Sequence, residues 1–155
     1  MAYVFACEFP EDLWFQVDLD VWLRLMPDGS ARMGMTDPAV TRAGRILHVR
    51  IRVGREVVAG KSVSSVESGK WVGPVPAPVP GMVIEANPSV LQDPGLINRD
   101  PYGEGWMLTF KPSVPEVEFT GHGLFFGPDA VGPYTAKLQK EGLHCVRCAD
   151  PTTAE

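Results

Sequence analysis

The 155-residue chain has little cysteine: Cys7, Cys145 and Cys148 are its only three, an odd number with no disulfide-scaffold pattern. That usage fits a reducing compartment. Long hydrophobic runs are missing too, so no segment reaches the length of a membrane span. The start has no basic region followed by an apolar one, and is too poor in arginine for a transit peptide. A cytoplasmic protein is expected. Positive charge is also in deficit, with 14 basic residues against 19 acidic and a net charge of −5. Nucleic-acid binding needs a clustered basic face that displaces counterions, and this balance argues against it.

Glycine and proline, by contrast, are plentiful, at 16 and 15. Proline is costly inside helices and in central strands. Spread along most of the chain, it cuts the sequence into short strands and turns, and an all-β core with short helices is expected. Residues 1–19 are mixed and acidic, with a turn at Phe9-Pro10-Glu11-Asp12. Val21 to Met26 reads as a strand, Pro27-Asp28-Gly29-Ser30 as a tight turn and Ala31 to Met35 as the return. Thr36-Asp37-Pro38 caps a helical turn through Arg42. Arg45 to Val53 alternates apolar and polar residues except at Leu47, which predicts a half-buried strand. Glu56 to Val58, Lys61 to Glu67, Met82 to Glu85 and Met107 to Phe110 are further strands; after Asn87-Pro88 comes a polar loop, Pro94 to Asn98, and then the segment Asp100 to Trp106. Past Pro112 the chain is loop-rich until Pro133, and Tyr134 to Glu141 makes a short helix ended by Gly142.

One lysine stands out. Ser68-Gly69-Lys70 makes the tip of a hairpin whose return starts at Trp71-Val72. A tip lysine is open to a modifying enzyme, and its flexible four-carbon stem extends whatever is attached. Taken alone, an exposed turn lysine is a solubility residue.

Its surroundings change that reading. Glu67-Ser68-x-Lys70 followed by Ala77-Pro78-Val79-x-Gly81 resembles the lipoyl-attachment segment of glycine-cleavage H proteins. Asn98-x-Asp100-Pro101-Tyr102-Gly103-Glu104-Gly105-Trp106 is similar to the segment closing the same fold. Gly34-Met35-Thr36-Asp37 and Gly44 resemble the family's first helical turn and its following glycine. The resemblance covers roughly Asp20 to Ser113. It implies a barrel-sandwich hybrid, the lipoyl-domain-like fold, with a short C-terminal helix. It also implies covalent lipoate on Lys70, set in an attachment hairpin of Glu67, Ser68, Gly69 and Trp71. Biotinyl carriers flank their lysine with methionines, and here Gly69 and Trp71 take those places. The implied protein is a monomeric carrier and not an enzyme, with no catalytic residue and no metal. Lipoate ligase or lipoyl-assembly enzymes are its expected partners, and tethering raises the concentration of its thiols at each active site it visits. Residues 1–113 form the expected lipoyl domain, and residues 114–155 a C-terminal extension with a short helix and a C-x-x-C pair.

The sequence also departs from the family. His-Glu-Trp is usual where this chain has Asp20-Val21-Trp22, and Ser-Asp is usual where it has Gly73-Pro74. An amine cargo needs polar or anionic partners, which Val21 and Pro74 cannot supply. The usual acidic stretch after the valine-rich strand is replaced by Arg50-Ile51-Arg52, and reversed charge on such a strand implies a changed partner. Trp71 stands where alanine is common, either packed on the sheet, or covering the arm or contacting a partner. These departures resemble the lipoate-binding proteins of the heterodisulfide-reductase-like sulfur-oxidation system. That branch implies a sulfur cargo oxidised toward sulfite, with the heterodisulfide-reductase-like complex as partner. Glycine cleavage enzymes and an aminomethyl cargo are the alternative, and an unlipoylated regulator or lipoyl donor is a third. Cys145 and Cys148, on either side of Arg147, are a candidate redox dithiol, though surface thiols on a loose tail are the plainer reading. His48 is expected to be structural.

Overall fold

The computed structural model describes residues 1–147, built mostly of short antiparallel strands. The N-terminus opens with a small hairpin, β1 (Ala2–Val4) against β2 (Cys7–Phe9). A seven-stranded sheet follows. Its strands are β3 (Trp14–Gln16), β4 (Val21–Leu25), β5 (Ala31–Met35), β7 (Glu56–Val57), β10 (Gly81–Ala86), β11 (Leu108–Pro112) and β12 (Leu124–Phe126), in the spatial order β12-β3-β4-β5-β11-β10-β7. The remaining sheet has three strands, with β8 (Ser62–Ser68) between β6 (Ile46–Ile51) and β9 (Val72–Pro76).

Among the described residues four α-helices complete the fold: α1 (Asp37–Ala43), α2 (Pro88–Gln92), α3 (Leu96–Arg99) and α4 (Val131–Glu141). Thr36 caps α1 by accepting from the Ala39 N–H, with proline in the first turn as expected. The predicted turn at residues 27–30 closes β4 onto β5, with Gly29 at φ +87°.

Two apolar cores hold the layers. The larger lies between the seven-stranded and three-stranded sheets, where Leu23, Met33, Val66, Val75, Val83 and Phe110 meet. A second lies under the N-terminal hairpin, where Phe9, Phe15, Trp22, Tyr102, Tyr134 and Leu138 pack together. Burying each such side chain contributes roughly 1.5–3 kcal/mol. Both cores take residues from beyond position 113: Phe119 and Leu124 in the first, Tyr134 and Leu138 in the second.

The structure differs from the sequence reading in several places. Residues 1–19 contain three strands, each only three residues long and too short for alternation to register. The stretch after Asn87, read without helix, holds α2 and α3, with Asn87 capping the first through Ser89. Helix α4 starts at Val131, ahead of Tyr134, because Pro133 fits a first turn where its missing N–H costs nothing. And Cys7 is disulfide-bonded to Cys145, across 138 residues, so Cys145 is neither a loose thiol nor the partner of Cys148. Spacing along the chain suggested the nearer pair, but the tail lies against β2. Cys148 lies outside the described residues.

Candidate functional site

The hairpin of β8 and β9 runs in antiparallel register, with Glu67 opposite Val72 and Ser65 opposite Pro74. Strand β9 is an edge strand, which is why Pro74 and Pro76 cost the sheet no ladder bond. At the tip the buried Ser68 does most of the fixing. Its N–H donates to the Trp71 carbonyl at 2.8 Å, and its Oγ accepts from the N–H groups of Lys70 (3.3 Å) and Trp71 (3.0 Å). Gly69 and Lys70 are exposed beyond it. The lysine is therefore mobile in its stem and fixed at its root.

The sheet behind the hairpin is itself pinned. Buried Asn98 accepts from the Ile46 N–H at the start of β6 and donates to the carbonyls of Gly44 and Arg147. The nearby motif through Trp106 folds as a tight loop in which Asp100 Oδ2 accepts from the Glu104 N–H at 2.9 Å. Trp22 donates to the carbonyls of Met35 and Pro101, tying that loop to β5. Its indole lies flat on Gly34, where a Cβ would come within 2.9 Å of the ring.

A cleft of about 150 Å³ opens beside the hairpin. Trp71, Pro74, Val75 and Pro76 form one wall; Val21, Met35 and α1 residues Ala39 and Arg42 form the others. The Trp71 indole covers Gly73, where a Cβ would sit 2.2 Å from the ring, so this side chain both packs on its own strand and walls the cleft. Val21 and Pro74, the two departures of the sequence, meet here.

The polar end of the cleft was not anticipated. Asp20, in the left-handed region at φ +57°, turns its carboxylate into a set of donors. Arg42 pairs with one oxygen, while Lys137 (3.2 Å) and the Tyr134 hydroxyl (3.1 Å) reach the other. Burial pushes the Asp20 carboxyl above its ordinary value, against the pull of Arg42 and Lys137. Burial also pushes the Tyr134 phenol well above the tyrosine range, which keeps it a donor. Arg42 in turn holds Glu141 through two bonds of 2.8 and 2.6 Å. Helix α4 thus supplies three of the groups that set the charge of the cleft. No local pattern marks them, since Asp20 and Lys137 lie 117 residues apart.

The other predicted residues are dispersed. Glu67 faces out of the cleft, 3.9 Å from His48, whose side chain is 77% exposed instead of structural. The bulge between Ile46 and His48 explains both this and the broken alternation at Leu47. Cys145 lies in its disulfide under the second core. Among the described residues, no group of three His, Cys, Asp or Glu is placed to hold a metal ion, and no helix is long and apolar enough to cross a membrane.

The family described as "Glycine cleavage H-protein" matches residues 14–120. The chain belongs to the glycine cleavage H-protein family. "Glycine cleavage system H protein 3" of Aquifex aeolicus is 49% identical over 145 residues, which is 92% of this chain and 90% of that protein. "Probable glycine cleavage system H protein 2" of Sulfurisphaera tokodaii is 41% identical over 150 residues, 95% of this chain and 99% of that protein. The crystal structure of a glycine cleavage system H protein from Mycobacterium marinum superposes with a TM-score of 0.67 at 32% identity, covering 86% of this chain and 99% of that one. The H-protein family is a family of lipoyl carriers, and the two β layers with a short C-terminal helix are its barrel-sandwich fold.

Proposed function

We propose that this chain is a lipoyl carrier with Lys70 as the attachment point, and that its cargo is sulfur in transit between partner enzymes. The lipoyl reading rests on family membership together with the fit of the site. The exposed amine sits on a root fixed by Ser68, and an apolar cleft beside it suits a hydrocarbon arm. Lipoate would supply a dithiol able to accept and release a transferred group. The chain's own part is to hold the lysine at a defined place, through Ser68 and the β8–β9 ladder, and to offer the arm a wall of Trp71, Val21 and Pro74.

The cargo reading rests on one observation. The carboxylate in the cleft, Asp20, is already engaged by Arg42, Lys137 and Tyr134. A carboxylate so occupied has little capacity left for an ammonium cargo, whereas neutral sulfur needs no such partner. Aminomethyl transport in glycine cleavage is the second reading, and the names borne by the Aquifex and Sulfurisphaera relatives favour it.

Intact mass of the protein from its native host tests attachment. A lipoyl adduct that vanishes in Lys70→Arg is expected, and an unmodified chain overturns both carrier readings in favour of a regulator. Incubating lipoylated protein with thiosulfate or polysulfide, then weighing it, tests the cargo. Mass gained there and no aminomethyl transfer in the glycine assay is the expected result; the reverse pattern establishes glycine cleavage.

A further inference from the structure

The three-stranded sheet concentrates the chain's unpaired positive charge. Between positions 46 and 70 there are five basic residues and two acidic ones, in a chain whose net charge is −5. Elsewhere the cations are mostly spent: Arg24, Arg42, Arg99, Lys137 and Arg147 all sit in ion pairs. On this sheet and in the turns that flank it, Arg50, Arg52, Arg55 and Lys61 are exposed and form no ion pair among the described residues.

Their placement follows the strands. Arg50 stands opposite Ser65, and Ser65 opposite Pro74, on the outward face. The next row toward the tip is His48, Glu67 and Val72. His48, Arg50, Ser65, Glu67 and Val72 of these rows line a shallow groove of about 450 Å³. Arg50 lies roughly 10 Å from the tip, three residues' rise along β8. Arg52 and Arg55 continue the positive strip through the turn after β6, where the Arg55 N–H bonds the Arg52 carbonyl. Exposed Val72 gives the groove an apolar edge beside the lysine. The acidic groups facing this strip are Glu67, in the groove, and Glu56, beyond the turn.

We propose that this face is the docking surface for the enzyme that attaches the lipoyl group, and that the enzyme meets it with a rim of carboxylates. The inference rests on the lipoyl reading of Lys70. An enzyme acting on the amine at the tip must cover the adjacent sheet face, and an acidic chain attracts an acidic rim only through a local patch of opposite sign.

The sign of the salt effect tests this. With the host's lipoate ligase and the full apo-chain, kcat/KM for lipoylation falls as salt rises, because attraction is screened. Arg50→Glu lowers kcat/KM roughly tenfold at low salt. Lys140→Glu on α4 changes net charge equally and leaves the rate alone. Thermal melts equal to wild type exclude misfolding of either variant, and Arg50→Gln gives an intermediate rate. A rate that rises or stays flat with salt overturns the proposal, as do equal losses in the two charge-reversed variants. A native protein bearing no lipoyl adduct overturns the lipoyl reading itself, whereas an adduct with a flat salt response overturns the docking surface alone.

Discussion

Asn98 shows how much of this site depends on single buried amides. Its side chain is 1% exposed and makes three bonds to backbone groups of α1's exit, β6 and the tail. Asn98→Ala leaves the buried Ile46 N–H without its acceptor and is expected to cost about 2–3 kcal/mol, read as a lower urea midpoint at unchanged slope. Ser68 acts on a smaller scale. Its lost bonds at the exposed tip are replaced by water, so Ser68→Ala costs about 1 kcal/mol or less. Its larger effect falls on the lysine's root: a several-fold slower lipoylation, with Ser68→Thr restoring most of the rate. Both residues sit in motifs readable in the sequence. What Asn98 does was not readable, because Gly44 and Arg147 are 54 and 49 residues away.

At the level of elements, α4 acts as a brace. Through Tyr134, Lys137 and Glu141 it fixes Asp20 and Arg42 at the mouth of the cleft. Arg42 holds the Glu141 carboxyl below its ordinary value of 4.5. A lowered carboxyl favours the folded state above the unfolded value, and that contribution disappears as pH falls through the folded one. Melting temperature should therefore differ between wild type and Glu141→Gln at neutral pH, with the gap closing as the solution is acidified below 4.5. The segment after α4 is pinned a second time by the Cys7–Cys145 bond and by Arg147 on Asp37. A disulfide typically contributes about 2–4 kcal/mol, so Cys145→Ser should lower the denaturant midpoint accordingly. Helix start and stop signals located the body of α4 and its Gly142 end, and missed its first three residues. Which way the helix faced was beyond them, since one face, over two turns, carries Tyr134, Lys137 and Glu141 toward partners in the first third of the chain.

For the whole molecule, the last forty residues are the test of how the fold is divided. Strand β12 pairs with β3, and residues beyond position 113 enter both cores. A chain ending at Ser113 loses Phe119, Leu124, Tyr134 and Leu138 from those cores. It is expected to melt broadly, with near-ultraviolet dichroism much reduced, and a sharp transition would mean that residues 1–113 fold alone. By itself the sequence determined the β-rich class, the hairpin with Lys70 at its tip, the capped turn of α1 and the departures at Val21 and Pro74. Each of those follows from local rules: φ limits at proline and glycine, alternation, capping and short motifs. Tertiary structure alone decided the charge of the cleft, the partner of Cys145 and the outward face of the Arg50 strand. These depend on which distant groups share a buried space, and burial and pairing are properties of the assembled chain. The lysine was written in the sequence; its surroundings came only with the packing.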